Sequence, residues 1–274
     1  MPICQACRGV NHDRRGLFLK NSLCYPEAGL EAGLLKCYNL RMTVSTFVFA
    51  IIAGVLPSFI WLWFWLHEDS MNPEPRSLLV GTFIGGILAV IAALFAEKFI
   101  ADTVNDSTMR YALWAAIEEI FKFIAVAFIA LRTSENDEPI DAMIYCIVVA
   151  LGFAALENTL FIMGPFLDGK IAAGIVTGNM RFIGATLVHI VSSAIVGFSM
   201  GYAFYRGYRT KCIALILGLS AAIALHAAFN VSIIDSSSES TLQTFAWVWG
   251  AVVILMVLFE EIKAVGQRKA IRIK

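Results

Sequence analysis

Seven stretches of roughly twenty mostly apolar residues, joined by short polar connections, leave this chain few folds to choose from. They lie near 43–66, 77–99, 111–131, 140–163, 180–204, 212–234 and 241–262. In a lipid interior each backbone N–H and C=O must find its partner within the protein, so runs of this length are read as transmembrane helices. Of the 274 residues, 59% are hydrophobic and 15% charged. Mean hydropathy is +0.75, and a soluble surface needs more charge than this. The expected fold is an all-α polytopic membrane protein, a bundle of about seven transmembrane helices in the lipid bilayer.

A polar, Cys-containing tail covers 1–42, the membrane domain 43–262, and a basic tail 263–274. No internal repeat and no second soluble domain is visible. The formal net charge is zero, which gives nucleic-acid binding no electrostatic support. The first forty residues hold no continuous apolar run of the kind a signal peptide needs. Cys4 and Cys7 form a CxxC near His12, but Cys24 and Cys37 are thirteen apart and do not supply the second close pair a zinc site usually has. The tail is read as carrying free thiols, with a small metal site or a disulfide as the alternative.

The third span breaks the apolar pattern with Glu118, Glu119 and Lys122. Charges at membrane depth are costly and usually face a polar cavity. Lys122 follows Glu118 by four residues and Glu119 by three, so on a helix it reaches either carboxylate. Further polar residues lie in the spans that follow: Glu157 and Asn158 in the fourth, His189 in the fifth, His226 and Asn230 in the sixth. Successive spans run in opposite directions. Counted from the appropriate span ends, Glu118, Glu119, Glu157, His189 and His226 all fall about 9–14 Å from one membrane face. Scattered structural polars would not share a depth.

Acids, imidazoles, an amide and a lysine at one depth can activate water. In one version, zinc sits on Glu157, His189 and His226 with a fourth position open for water, and Glu118 or Glu119 is the base. In the metal-free version a glutamate activates water directly, and His226 and Asn230, four apart on one helix face, donate to the oxyanion. Two rival classes use the same residues. A proton-coupled transporter or channel would use the Glu/His cluster as a relay, and a haem protein would use His189 and His226 as axial ligands.

These residues resemble a known family. An EExxK motif (Glu118, Glu119, Lys122), an FxxxEN motif (Phe153, Glu157, Asn158), the single His189 and an HxxxN motif (His226, Asn230) occur in order on four successive spans, within 111–234. This set is similar to that of the PrsW family of intramembrane proteases, within the superfamily of CAAX prenyl proteases and bacteriocin-processing enzymes. The resemblance implies a conical polar active-site cavity and hydrolysis of membrane-associated proteins. It implies catalytic roles for Glu118, Glu119, Lys122, Asn158 and Asn230, and substrate contact by Phe153. It also implies a substrate such as a membrane-anchored anti-sigma factor, and a place in the cell membrane of a prokaryote. The PrsW branch is grouped with metalloproteases, whereas the prenyl-protease branch looks glutamate-dependent.

Lys and Arg counts give an expected orientation. Nine lie on the face away from the cavity (Arg132, Arg206, Arg209, Lys211, Lys263, Arg268, Lys269, Arg272, Lys274), against Lys98, Arg110, Lys170 and Arg181 on the cavity side. The positive-inside rule then puts the C-terminal tail in the cytosol and the cavity on the other side. The N-terminal tail, with six Lys/Arg, points the opposite way.

Overall fold

The computed structural model describes residues 22–26, 35–39, 44–68, 72–234 and 238–273, with side chains described over 47–68, 72–233 and 241–266. The chain forms two compact units, Met1–Val48 and Phe49–Lys274. Within the first, β1 (Ser22–Pro26) and β2 (Leu35–Asn39) pair antiparallel. Cys24 and Cys37, far apart by sequence spacing, are direct cross-strand partners in this ladder. Cys4, Cys7 and His12 lie outside the described residues.

The second unit is helical. Its elements are α1 (Val44–Glu68, beginning just before the unit boundary), α2 (Arg76–Thr103), α3 (Ser107–Ile129), α4 (Asp141–Leu167), α5 (Ile171–Met180), α6 (Thr186–Tyr202), α7 (Tyr208–Ile234) and α8 (Ser238–Ile273). A π-helical turn, Arg181–Ala185, joins α5 to α6. The stretch Ile171–Tyr202 is therefore one rod. The stretch 164–180 is thus largely helical.

Six rods are long and apolar enough to cross a membrane. The exception is α3, which carries Arg110, Glu118, Glu119 and Lys122. At 23 residues it spans about 34 Å, enough to cross, and it lies against α2 and α7 with Glu118, Glu119 and Lys122 buried. The second unit is an all-α multi-pass membrane bundle, as expected.

Large apolar side chains such as Phe95, Phe99 and Phe128 cover the outside, as a lipid-facing surface requires. The three tryptophans of α1 do not form one belt. Trp61 and Trp65, four apart, face inward, packing on Trp249 and Phe259 respectively, while Trp63 is exposed. A spacing of two carries a side chain more than half-way round a helix.

Helix α4 is the hub, buried along most of its length between α2 and α6. Small residues set both approaches. A Cβ on Gly86 of α2 would strike the Val149 carbonyl of α4, and one on Gly197 of α6 would strike the Met143 Cα and the Ala142 carbonyl of α4. Backbones in such contact hold the polar ends of α4 and its neighbours in register. On α3, Asp106 caps the N-terminus by accepting from Met109 N at 2.7 Å, so the turn from α2 is only 104–106. The C-terminal end of α2 and the N-terminal part of α3 thus lie side by side.

Candidate active site

The polar side chains meet where α3, α4, α6 and α7 pack, beside a cavity of about 380 Å³. Glu119 is the fixed point. Its Oε1 accepts from Lys122 Nζ at 2.5 Å and Ser192 Oγ at 2.8 Å, and lies 2.7 Å from His226 Nδ1. Its Oε2 accepts from Ser193 Oγ at 3.3 Å. Glu119 and Lys122 are each 1% exposed, and neither lines the cavity. A buried charge pair of this kind survives only when its remaining hydrogen-bonding capacity is met, and the two serines and His226 meet it.

This network sets the histidines. The Lys122 ammonium, 3.1 Å from His189 Nδ1, can only donate, so Nδ1 is the acceptor. His189 Nε2 then carries the proton and donates to Glu157 Oε2 at 2.6 Å. His226 Nδ1 faces the Glu119 carboxylate and carries its own proton, which leaves Nε2 with a lone pair. That nitrogen is 3.7 Å from Glu118 Oε2. The two imidazoles meet edge to face with centroids 4.9 Å apart.

Glu118 differs from its neighbour. Its Oε2 is buried with no hydrogen-bond partner among the described residues, 3.7 Å from His226 Nε2 and 4.0 Å from His189 Nδ1. Glu118 lines the cavity together with Phe153, Glu157, His189, His226 and Asn230. An orphaned carboxylate oxygen is costly in a protein interior unless another species meets it.

Glu157, read as a metal ligand from the sequence, is held by a different partner: Arg181 Nη2 lies 2.7 Å from its Oε2. Asn158 is buried outside the cavity. Its Oδ1 accepts from Arg181 Nε at 2.5 Å, and its Nδ2 donates to Thr186 Oγ1 at 2.9 Å. Asn158 therefore positions Arg181. The π-helical turn begins at Arg181, and such turns are frequent at functional sites. Phe153 packs on His189, centroid to centroid 5.4 Å, with Lys122 Nζ 4.9 Å from its ring centre.

Among the described residues, the group of side chains that could hold a metal ion is Glu118, His189 and His226, with one ligand atom of each within 4.8 Å of the others. Glu118 takes the place expected for Glu157, because Arg181 and His189 occupy the Glu157 carboxylate. Two atoms bound to one zinc at about 2.0–2.2 Å can be at most about 4.4 Å apart, and both Glu118–His separations fall inside that. The Glu119 carboxylate behind His226 is the outer partner that metal-ligating histidines usually have. Binding through His189 Nδ1 requires Lys122 to release that nitrogen, and Lys122 keeps its counter-ion Glu119 when it does.

Residues 74–259, from the start of the helical core into α8, match the model of the PrsW family intramembrane metalloprotease. The chain belongs to the PrsW family. It is 32% identical to the "Protease PrsW" of Geobacillus kaustophilus over 159 residues, 56% of this chain and 66% of that protein. The PrsW protease of Oceanobacillus iheyensis is 28% identical over 70% of this chain and 86% of its own. That of Halalkalibacterium halodurans is 26% identical over 79% and 97%. No solved structure matches the chain. PrsW membership makes this protein a membrane-embedded peptidase, in a family of metallo-type proteases that act on membrane proteins. The transporter reading has no support, since the relatives are proteases.

Sequence reasoning missed Ser192, Ser193 and Thr186. The first two follow His189 at i+3 and i+4, so the helical period already put them on its face. Glu97, near the end of α2, also lines the cavity.

Proposed function

We propose that this PrsW protease cuts its substrate with a water held between Glu118 and His226, and that Glu119 and Lys122 act only by fixing the histidines. The observation that carries this reading is the contrast between the two glutamates. Glu119 accepts from four groups, while Glu118 lines the cavity and its Oε2 accepts from none. A base needs an oxygen free to take a proton, and Glu118 has one.

Zinc is the metal suited to two imidazoles and a carboxylate, and Glu118, His189 and His226 would hold it. When bound, it supplies polarisation of the scissile carbonyl and a more acidic water. The chain's own residues do the remaining work. Glu118 receives the proton of the attacking water, on Oε1 if Oε2 takes the metal, and passes it to the leaving amine. Asn230, one turn beyond His226 in the cavity wall, donates to the developing oxyanion. Phe153 and the apolar wall exclude bulk water, which strengthens each of these interactions. Glu157 and Arg181, held by Asn158, keep His189 Nε2 engaged.

The substrate in this reading is a membrane-anchored regulator of the anti-sigma type, in the cell membrane of a prokaryote. The cavity opens on the extracytoplasmic side, supported by the nine-to-four excess of Lys and Arg on the opposite face. A cysteine placed at Lys170, in the turn on the cavity side, should react with an impermeant probe on intact cells; protection there would reverse the orientation.

The metal test is direct. Purified protein should contain about one zinc per chain, lose cleavage of a labelled transmembrane peptide on chelation, and regain it with zinc. Full activity after metal removal would leave the metal-free glutamate mechanism in its place.

A further inference from the structure

Three carboxylates line the cavity, and the chemistry above uses two of them. The third, Glu97, stands on α2 and is half-buried in the wall near Leu94, Tyr111 and Trp114. Its backbone is pinned, because Trp114 Nε1 donates to the Glu97 carbonyl at 3.1 Å across the tight α2–α3 turn. The carboxylate itself has no hydrogen bond or ion pair among the described residues. The next residue, Lys98, is exposed and does not pair with it.

Among the described residues, the one Lys or Arg in the cavity wall is Arg181, which is already taken by Glu157 and Asn158 and lies over the Phe161 ring at 4.0 Å. The lining thus sets three carboxylates, Glu97, Glu118 and Glu157, against one guanidinium. An unpaired carboxylate in a wall that also holds two aromatic rings suits a cation on an aliphatic stem. The stem packs on the rings while the charge meets the carboxylate. Tyr111 and Trp114 already stand edge to face, with centroids 5.2 Å apart, as a preformed wall.

Depth places this receptor relative to the chemistry. Glu97 is six residues from the end of α2, and Glu118 is eleven from the start of α3. At 1.5 Å per residue these are about 9 and about 16 Å from the shared face. The difference is roughly two residues of extended chain at about 3.3 Å each.

We propose that Glu97 selects the substrate by receiving a Lys or Arg side chain about two residues from the scissile bond, on the side toward the membrane face where the cavity opens. The inference rests on the protease reading above and adds a substrate class: membrane proteins with a basic residue at the edge of the span that enters the cavity.

The test uses the full-length protein reconstituted in vesicles with a library of transmembrane peptides, randomised over the segment at the cavity-side interface. Product ends are read by mass spectrometry. The wild type should enrich Lys and Arg over Glu and Asp about fivefold to tenfold at one position near the cut. Glu97→Gln should lose that enrichment while cutting the same library, and Glu97→Lys should turn it toward Asp and Glu. Cutting with no charge preference in the wild type, or a basic preference retained in Glu97→Gln, overturns the role of Glu97 alone. No cutting by the wild type overturns the protease reading and this inference together.

Discussion

Carboxylates are buried at both ends of this bundle, and the two ends treat them differently. At the end away from the cavity, Asp141 accepts from the backbone N–H groups of Asp137 at 2.9 Å and Glu138 at 2.6 Å. Tyr145 donates to Glu74, and Asn72 donates to Glu138 at 2.7 Å. These donors are two backbone amides, a phenol and a side-chain amide, and none is a Lys, Arg or His. At the cavity end, the partners of Glu119 and Glu157 include a lysine, an arginine and two histidines, and Glu118 Oε2 has none. Neutral donors that satisfy a carboxylate close a loop. Titratable partners around an unsatisfied carboxylate make a site that can move a proton.

The comparison can be broken by removing one group at a time. The largest effect on activity should come from Glu118→Gln, with cleavage down by about 10²–10⁴ or more and the melting temperature near that of the wild type. Glu119→Gln should reduce both cleavage and stability. It leaves Lys122 buried without its counter-ion, a loss of about 3–5 kcal/mol by denaturant or thermal unfolding in detergent. Adding Lys122→Met to Glu119→Gln should return much of the stability but not the activity, because His226 still lacks its carboxylate. Stability and activity recovering together would erase the distinction between the two glutamates.

Asn230→Ala should be milder, costing about 10²–10³ in turnover if its amide donates to the oxyanion, with little change in melting. The smallest effect belongs to the other end. Tyr145→Phe should cost about 1 kcal/mol of stability and leave turnover unchanged, as expected of a hydrogen bond that only fastens a turn. A loss of turnover in Tyr145→Phe with stability intact would show that the two ends are coupled.

Depth was legible in the sequence, and rotation was not. The fixed rise of a helix put Glu118, Glu157, His189 and His226 at one level, and those four side chains do meet. Which of two adjacent glutamates faces the cavity depends on how α3 is turned about its axis. That angle is set by packing against α2 and α7 and leaves no mark in the local pattern. The same gap applies to the tryptophans of α1, which cluster in the sequence while helical rotation turns two of them inward and leaves Trp63 exposed. Ser192 and Ser193 escaped notice because serine in a membrane helix commonly bonds its own backbone, and only the neighbouring Glu119 gives these two another role. Glu97 was obscured by its place near a span end, where a carboxylate ordinarily reaches for the headgroups. The π-helical turn at Arg181 has no signature in a Gly-rich segment, yet it opens the stretch that carries Arg181 and His189 into the site.

The central claim is that Glu118, and not Glu119, handles the proton of the attacking water. Single-turnover cleavage of one labelled transmembrane peptide by Glu118→Gln, measured beside its unfolding curve, tests it most directly. The account predicts a folded protein with wild-type melting that binds the peptide and does not cut it. A Glu118→Gln protein that cuts at the wild-type rate would contradict it.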